Sequence, residues 1–209
     1  MAIYRVDLLI NNAVTISKDV EKEYFDFNLD YVANVNGGFI MFIETERLLI
    51  TEFTIDMAQV VQENSVDEDN RRFVPDEVWE TVEDAEETLK FLISQYGEFK
   101  GPLVYPIIVK DTKCNVGYVQ LCPLDDDTWE VGYHIAKKYT GNGYATEAVS
   151  AFLPVIARQA GLSEIYGICL AENKASHMVM DKCGFENIFR GIGPYQGVDR
   201  EIVRNVWKL

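Results

Sequence analysis

Two segments of this 209-residue chain carry residue types at a spacing that can do chemistry. The first is Gly141-Asn142-Gly143, which follows a strand-like run at 129–135 and leads into a strongly periodic helix. A strand that passes through a glycine turn into a helix aims several unpaired backbone N–H groups, and the positive helix end, at one point. An anion such as a pyrophosphate suits that point, and glycines let the backbone approach it closely. Lys137 and Lys138 stand just upstream, a local reversal in an acidic chain. The second segment, residues 171–185, places Asn173 where it can cap a helix and Ser176 in the first turn that follows. Taken singly, each has a plain structural reading: a tight turn for the glycines, cap chemistry for Asn173 and Ser176.

Other phosphate-binding patterns fit poorly. A dinucleotide fingerprint needs a third glycine where Thr146 stands, and the strands before the turn read as antiparallel. P-loop spacing fails as well. The four cysteines, Cys114, Cys122, Cys169 and Cys183, form no CxxC pair, and His134 and His177 are the only histidines, so no metal site is expected. Against 19 Lys and Arg stand 34 Asp and Glu, a net charge of −15. Such a surface repels phosphate backbones and anionic lipid, so neither nucleic acid nor membrane is an expected partner. Asp7 interrupts the opening residues where a signal peptide would be apolar, and no run approaches a membrane span. Reduced thiols and a cytoplasmic location are the expectation.

The elements that must position these residues follow from periodicity. Residues 1–40 read as a β-rich extension, with alternation clearest over 24–35, and Asn36-Gly37-Gly38 ends it. Either it is a β element packed on or swapped from the main domain, or Met41 is the natural start. From Met41 to Leu209 the pattern gives a strand at 47–53, helices at 56–64 and 76–96, and strands at 103–109, 116–121 and 129–135. Thr81 and Asp84 make a capping signature within the second helical stretch, and Asp125–Asp127 a turn. A helix beginning near Ala145 follows, with a kink or early end expected near Leu153 because Pro154 interrupts it. A strand at 163–170, a short helix at 173–183 and strands at 186–192 and 201–208 finish the chain. The order predicts an α+β fold in which helices cover a mostly antiparallel sheet.

Together, and in this order, the segments resemble the GNAT superfamily of N-acetyltransferases, closest in look to the ribosomal-protein N-terminal acetyltransferases. The matching text is TERLLI (45–50), EVGYHI (130–135), GNGYATEA (141–148), NKAS (173–176), VMDKCGF (179–185) and REIVRNVWKL (200–209). The likeness covers about residues 42–209 and leaves 1–40 outside. One position departs from it: the family's Gln/Arg-x-x-Gly-x-Gly/Ala motif falls on Thr140, Gly143 and Ala145, so Thr140 replaces Gln or Arg.

The resemblance implies a central mixed sheet, splayed at a bulge between strands 129–135 and 163–170, with helices on both faces. Acetyl-CoA would lie in the opening, its pantetheine arm against Tyr133, His134 and Ile135. Its pyrophosphate would sit on the amides of Thr140, Gly141, Asn142, Gly143, Tyr144 and Ala145, with Thr146 also at the cofactor, and Asn173 would contact the cofactor or order water. Glu130 matches the family's proton acceptor for the attacking amine, although an isolated strand glutamate is usually just solvated. Ser176 matches the hydroxyl that meets the departing thiolate. The expected activity is direct acetyl transfer to a primary amine by a monomer or homodimer. The rival expectations are an inactive acyl-CoA-binding sensor and a non-enzymatic interaction domain.

Overall fold

The computed structural model describes residues 6–9, 13–16, 30–35, 38–96, 101–124 and 127–209. Eleven strands and five α-helices are described. Strands β1 (Val6–Leu9) and β2 (Ala13–Ile16) form a separate antiparallel pair. The remaining strands are β3 (Asp30–Val35), β4 (Gly38–Glu44), β5 (Leu48–Ile50), β6 (Leu103–Val109), β7 (Asn115–Pro123), β8 (Trp129–Ile135), β9 (Glu164–Leu170), β10 (Glu186–Tyr195) and β11 (Val198–Lys208). These nine make one sheet in the order β10-β11-β9-β8-β7-β6-β5-β4-β3, antiparallel except where β8 meets β9. The α+β expectation is met. The alternation read over 24–29, the Asn36-Gly37 punctuation and most of the 125–127 turn fall outside the described residues.

Helices cover both faces. On one side lie α4 (Tyr144–Ala160) and α5 (Lys174–Lys182), with Phe152, Leu153 and Ile156 of α4 buried among Val119, Leu121, Val131 and Ile165. On the other lie α1 (Ala58–Ser65) and α3 (Val82–Gln95), with Val61, Ala85 and Leu89 packed on Val104 and Tyr118. Neighbours on β7 therefore serve different cores: Tyr118 faces α1 and α3, Val119 faces α4. Because both faces are covered, β6 reads as an almost unbroken apolar run. No helix among the described residues is long and apolar enough to cross a membrane.

Several boundaries differ from the sequence pattern for local reasons. The stretch at 76–96 is a short 3-10 turn, Pro75–Glu77, then a break, then α3. The capping box of Thr81 and Asp84 fixes that second start, each side chain taking the other's backbone N–H at 3.1 Å. Helix α2 (Glu68–Phe73) was not anticipated, because its charged sequence carries no apolar period; Asp67 caps it by accepting from the Asn70 N–H at 2.9 Å. The strand expected at 47–53 shrinks to β5, with β4 preceding it. Helix α4 does not stop at Leu153 but runs through Pro154 to Ala160. The carbonyl that loses its partner belongs to Ser150, on the exposed side of the helix, where water can satisfy it. Gly161, left-handed at φ 67°, ends it as expected.

Candidate active site

Strands β8 and β9 run parallel and pair at a single position, Glu130 with Tyr166. Beyond it β8 stays on β7 through Ile135, and β9 stays on β11 through Leu170, so the two strands diverge. The wedge leaves one edge of β8, from Val131 to Ile135, with main-chain groups facing the opening. An extended, amide-bearing chain could pair with that edge.

At the open end of the wedge β8 passes through the 3-10 turn Lys137–Tyr139 into the glycine turn and α4. Gly141 and Gly143 are both left-handed, with φ of 81° and 79°. A Cβ at Gly141 would meet nothing within 4 Å, and one at Gly143 only Arg47, at 3.6 Å. The turn is a shallow cradle. Side chains cap α2, α3 and α5 at Asp67, Thr81 and Asn173, whereas α4, the longest helix described, has Gly143 at its cap and no side-chain cap bond. Its first-turn N–H groups and dipole fit an anionic group such as a pyrophosphate.

Ties from behind fix the cradle's shape. Asn142 Nδ2 donates to the Tyr139 carbonyl at 2.9 Å, and the Thr140 hydroxyl to the Lys137 carbonyl at 2.9 Å. Thr140 thus spends its hydroxyl on the turn itself. Arg47 donates to the Asn142 carbonyl at 2.9 Å, lies 5.0 Å over the Tyr144 ring and pairs with Glu147 at 2.5 Å. Glu147 also accepts from the Thr45 hydroxyl at 2.5 Å and the Arg47 N–H at 3.0 Å. The start of β5 is thereby stapled to the first turn of α4. The Lys137 ammonium is engaged by Asp69 of α2, and Lys138 rests 5.1 Å over Tyr139.

The proposed chemical residues divide between the two faces of β8. Tyr133 faces α5, its hydroxyl donating to the Ser176 carbonyl at 3.0 Å. Asn173 caps α5 by accepting from the Ser176 N–H at 3.1 Å. Glu130 lies on the other face, directly across from Cys122 and in line with Gly132 and His134. Burial, reinforced by the nearby Glu77 carboxylate, raises its pKa to about 7, with Arg204 pulling it down. His134 does not turn into the wedge: its ring packs 5.4 Å from Tyr118 beneath α1, in a small cavity lined also by Asn64, Trp79 and Asn115. Burial lowers its pKa to about 4, so the ring is neutral, and only its main chain can line the opening.

Cys169 is buried and free, its pKa raised by burial to about 11, and Cys183 is a raised, half-buried thiol. Neither is a thiolate at neutral pH.

Four contributors escaped the sequence reading. Glu77 accepts from Gln120 Nε2 at 3.1 Å. Gln120 lies across Gly132, where a Cβ would come within 2.5 Å of its amide nitrogen. Tyr195, at the tip of the β10–β11 hairpin, donates to the Phe73 carbonyl at 3.2 Å and ties that hairpin to α2. Its phenol is raised to about 12, by burial and then by Glu130. Arg47 lay in the quoted TERLLI text without an assigned role. For Arg47 the spacing to Glu147 carried no local signal, and for the others the contacts join distant elements.

Residues 47–186 match the family described as acetyltransferase (GNAT) domain. The uncharacterized N-acetyltransferase YnaD of Bacillus subtilis is 32% identical over 145 residues, 69% of this chain and 82% of the relative. The GNAT-family acetyltransferase structure from Bacillus anthracis gives a TM-score of 0.68 at 26% identity, covering 80% of this chain and 98% of that one. RimL, a ribosomal-protein alpha-N acetyltransferase solved with coenzyme A, shares the fold with a TM-score of 0.66 at 14% identity, over 79% of this chain and 96% of its own.

Proposed function

The chain belongs to the GNAT acetyltransferase family, and we propose that it acetylates a primary amine by direct attack on acetyl-CoA in a ternary complex. Acetyl-CoA supplies an acyl group already activated as a thioester. The 140–146 turn would hold its pyrophosphate on backbone amides, and the free edge of β8 at Tyr133–Ile135 would pair with the pantetheine arm. A β8 N–H would stabilise the oxyanion.

Most amines are protonated at neutral pH, so the nucleophile must lose a proton before or as it attacks. Glu130 takes it, directly or through water. The nitrogen lone pair forms the new C–N bond, the C–S bond breaks, and the Ser176 hydroxyl meets the departing thiolate. Asn173 Oδ1 is engaged by the Ser176 N–H, so any contact it makes with the cofactor falls to Nδ2. One observation carries this reading: a half-buried carboxylate with a pKa near 7 stands at the single pair where the wedge begins. The excess of acid over base favours a cationic acceptor, either a protein N-terminus or a small amine.

A thiol-release assay with acetyl-CoA and a panel of peptide N-termini, polyamines and small amines tests it. Turnover with at least one amine is expected, accompanied by a stoichiometric mass gain of one acetyl group. Tight binding of acetyl-CoA with no turnover across the panel would instead mark an acyl-CoA-binding protein.

A further inference from the structure

We propose that Glu77 is a positioning residue for acetyl transfer: Gln120 holds its carboxylate on the Glu130 side of the sheet, where it keeps Glu130 basic enough to take the amine's proton. The inference rests on Glu130 being the proton acceptor.

The geometry begins at Gly132, two residues from Glu130 on the same face. Gly132 has no side chain, and Gln120 of the neighbouring strand fills its place. From there Gln120 reaches out and donates to Glu77 at 3.1 Å. The Pro75–Glu77 turn, between α2 and α3, brings the carboxylate to that donor. A half-buried acidic side chain is thus anchored to a residue on the face of the sheet that carries Glu130. A surface glutamate would need no such anchor, because water already solvates it.

The charged and titratable groups around Glu130 come from every neighbouring element. Glu77 faces it from the turn, with Asp76 behind and acting on Glu77 in turn. Cys122 is opposite on β7 and, at a pKa of about 12, is a neutral thiol. Tyr195 approaches from β10 and stays a neutral phenol. Tyr166 is its partner on β9, and Arg204 of β11, 4.2 Å over the Tyr166 ring, opposes the effect of Glu77. His134, further along β8, is neutral. Glu77 is therefore the negative neighbour whose removal should matter.

The test combines a pH–rate profile of kcat/KM with a direct titration. Protein labelled with 13C at glutamate side-chain carboxyls gives the Glu130 resonance, assigned by its loss in Glu130→Gln. In Glu77→Gln both the resonance midpoint and the acid limb should move to lower pH by roughly one unit. At pH 6 the parent should keep about a tenth of its plateau rate and the variant about half. Gln120→Leu removes the donor without removing a charge and should move both readouts in the same direction by less, since Glu77 then holds its proton more readily. It also carries the test if Glu77→Gln folds poorly. An unmoved Glu130 resonance in a folded variant overturns the inference. A resonance that moves while the acid limb does not would leave the coupling standing and remove Glu130 as the proton acceptor, the reading on which the role of Glu77 depends.

Discussion

Glu130 combines two properties that pull against each other: it is half-buried, and as the proposed proton acceptor it would have to be ionised. Its pKa of about 7 lies above the ordinary 4.5, so the folded chain binds this proton more tightly than the unfolded chain. The contribution to stability is therefore full at pH values below 4.5 and is lost as pH rises toward 7. Glu130→Gln cannot ionise, so it should be more stable than the parent at pH 8, by up to about 3 kcal/mol, with the advantage fading as pH falls to 4.5. Denaturant melts at pH 8 and pH 4.5 check this. The same variant should keep acetyl-CoA affinity while turnover falls by about 10²–10⁴-fold at neutral pH, and much of the rate should return at high pH, where the amine is already free. Stability gained with activity lost is the signature of a residue held for chemistry. Ser176→Ala should also slow turnover but show no recovery at high pH, because its part lies with the thiolate. If both groups act in one transition state, the losses in the double variant should fall short of additive. Stopped rates across pH 6–9 for the three variants separate these outcomes.

At the scale of elements, the central device is a long helix that starts on a glycine with no side-chain cap bond and is stapled from behind. Gly143→Glu should abolish acetyl-CoA binding in calorimetry with the fold intact by circular dichroism, since it puts a strained residue and a negative charge where the proposed pyrophosphate would sit. Arg47→Ala removes the tie to Asn142 and Glu147 without touching the cradle's open side. It should raise KM for acetyl-CoA by roughly three- to ten-fold and leave kcat nearly unchanged, the size expected for a half-exposed charge-assisted contact. A fall in kcat at constant KM would place Arg47 elsewhere in the reaction. These two predictions also show what could be read in the sequence. Strands β6 and β8, the Thr81–Asp84 cap, the glycine turn and the Gly161 stop are local patterns, visible in a few consecutive residues. Helix α2 has no apolar period to betray it. Glu77 becomes meaningful only because Gln120, 43 residues away, crosses a glycine on a third element. For His134 the limit is similar: alternation along β8 puts its ring on the Glu130 side, but only the fold tells that this side carries α1 and Tyr118.

For the whole molecule, the open question is how the first forty residues relate to the acetyltransferase unit. Strand β4 crosses that boundary, running from Gly38 to Glu44 and pairing with β3 along six positions. Its inner half belongs to the core: Met41 and Ile43 are buried with the α4-side residues, and Ile43 pairs with Ile50 of β5. The sheet order places three strands, β5, β6 and β7, between β4 and β8, so the wedge and the glycine turn lie far from that edge. A chain beginning at Met41 keeps the buried half of β4 and loses its outer partner β3. We therefore expect it to fold and to bind acetyl-CoA with unchanged affinity by calorimetry, but to melt at a lower temperature. Removing β3 moves the outer edge of the described sheet inward to β4, a strand that carries core residues, and such edges seek partners. Light scattering should show self-association that grows with protein concentration and exceeds that of the full chain. The two halves of this prediction separate cleanly. Loss of folding would make residues 1–40 part of the core. Intact folding with weakened acetyl-CoA binding would mean that the outer strands reach the site through the sheet. Intact folding and binding with new association would assign β3 the task of covering an edge, which any partner strand of suitable pairing could also perform.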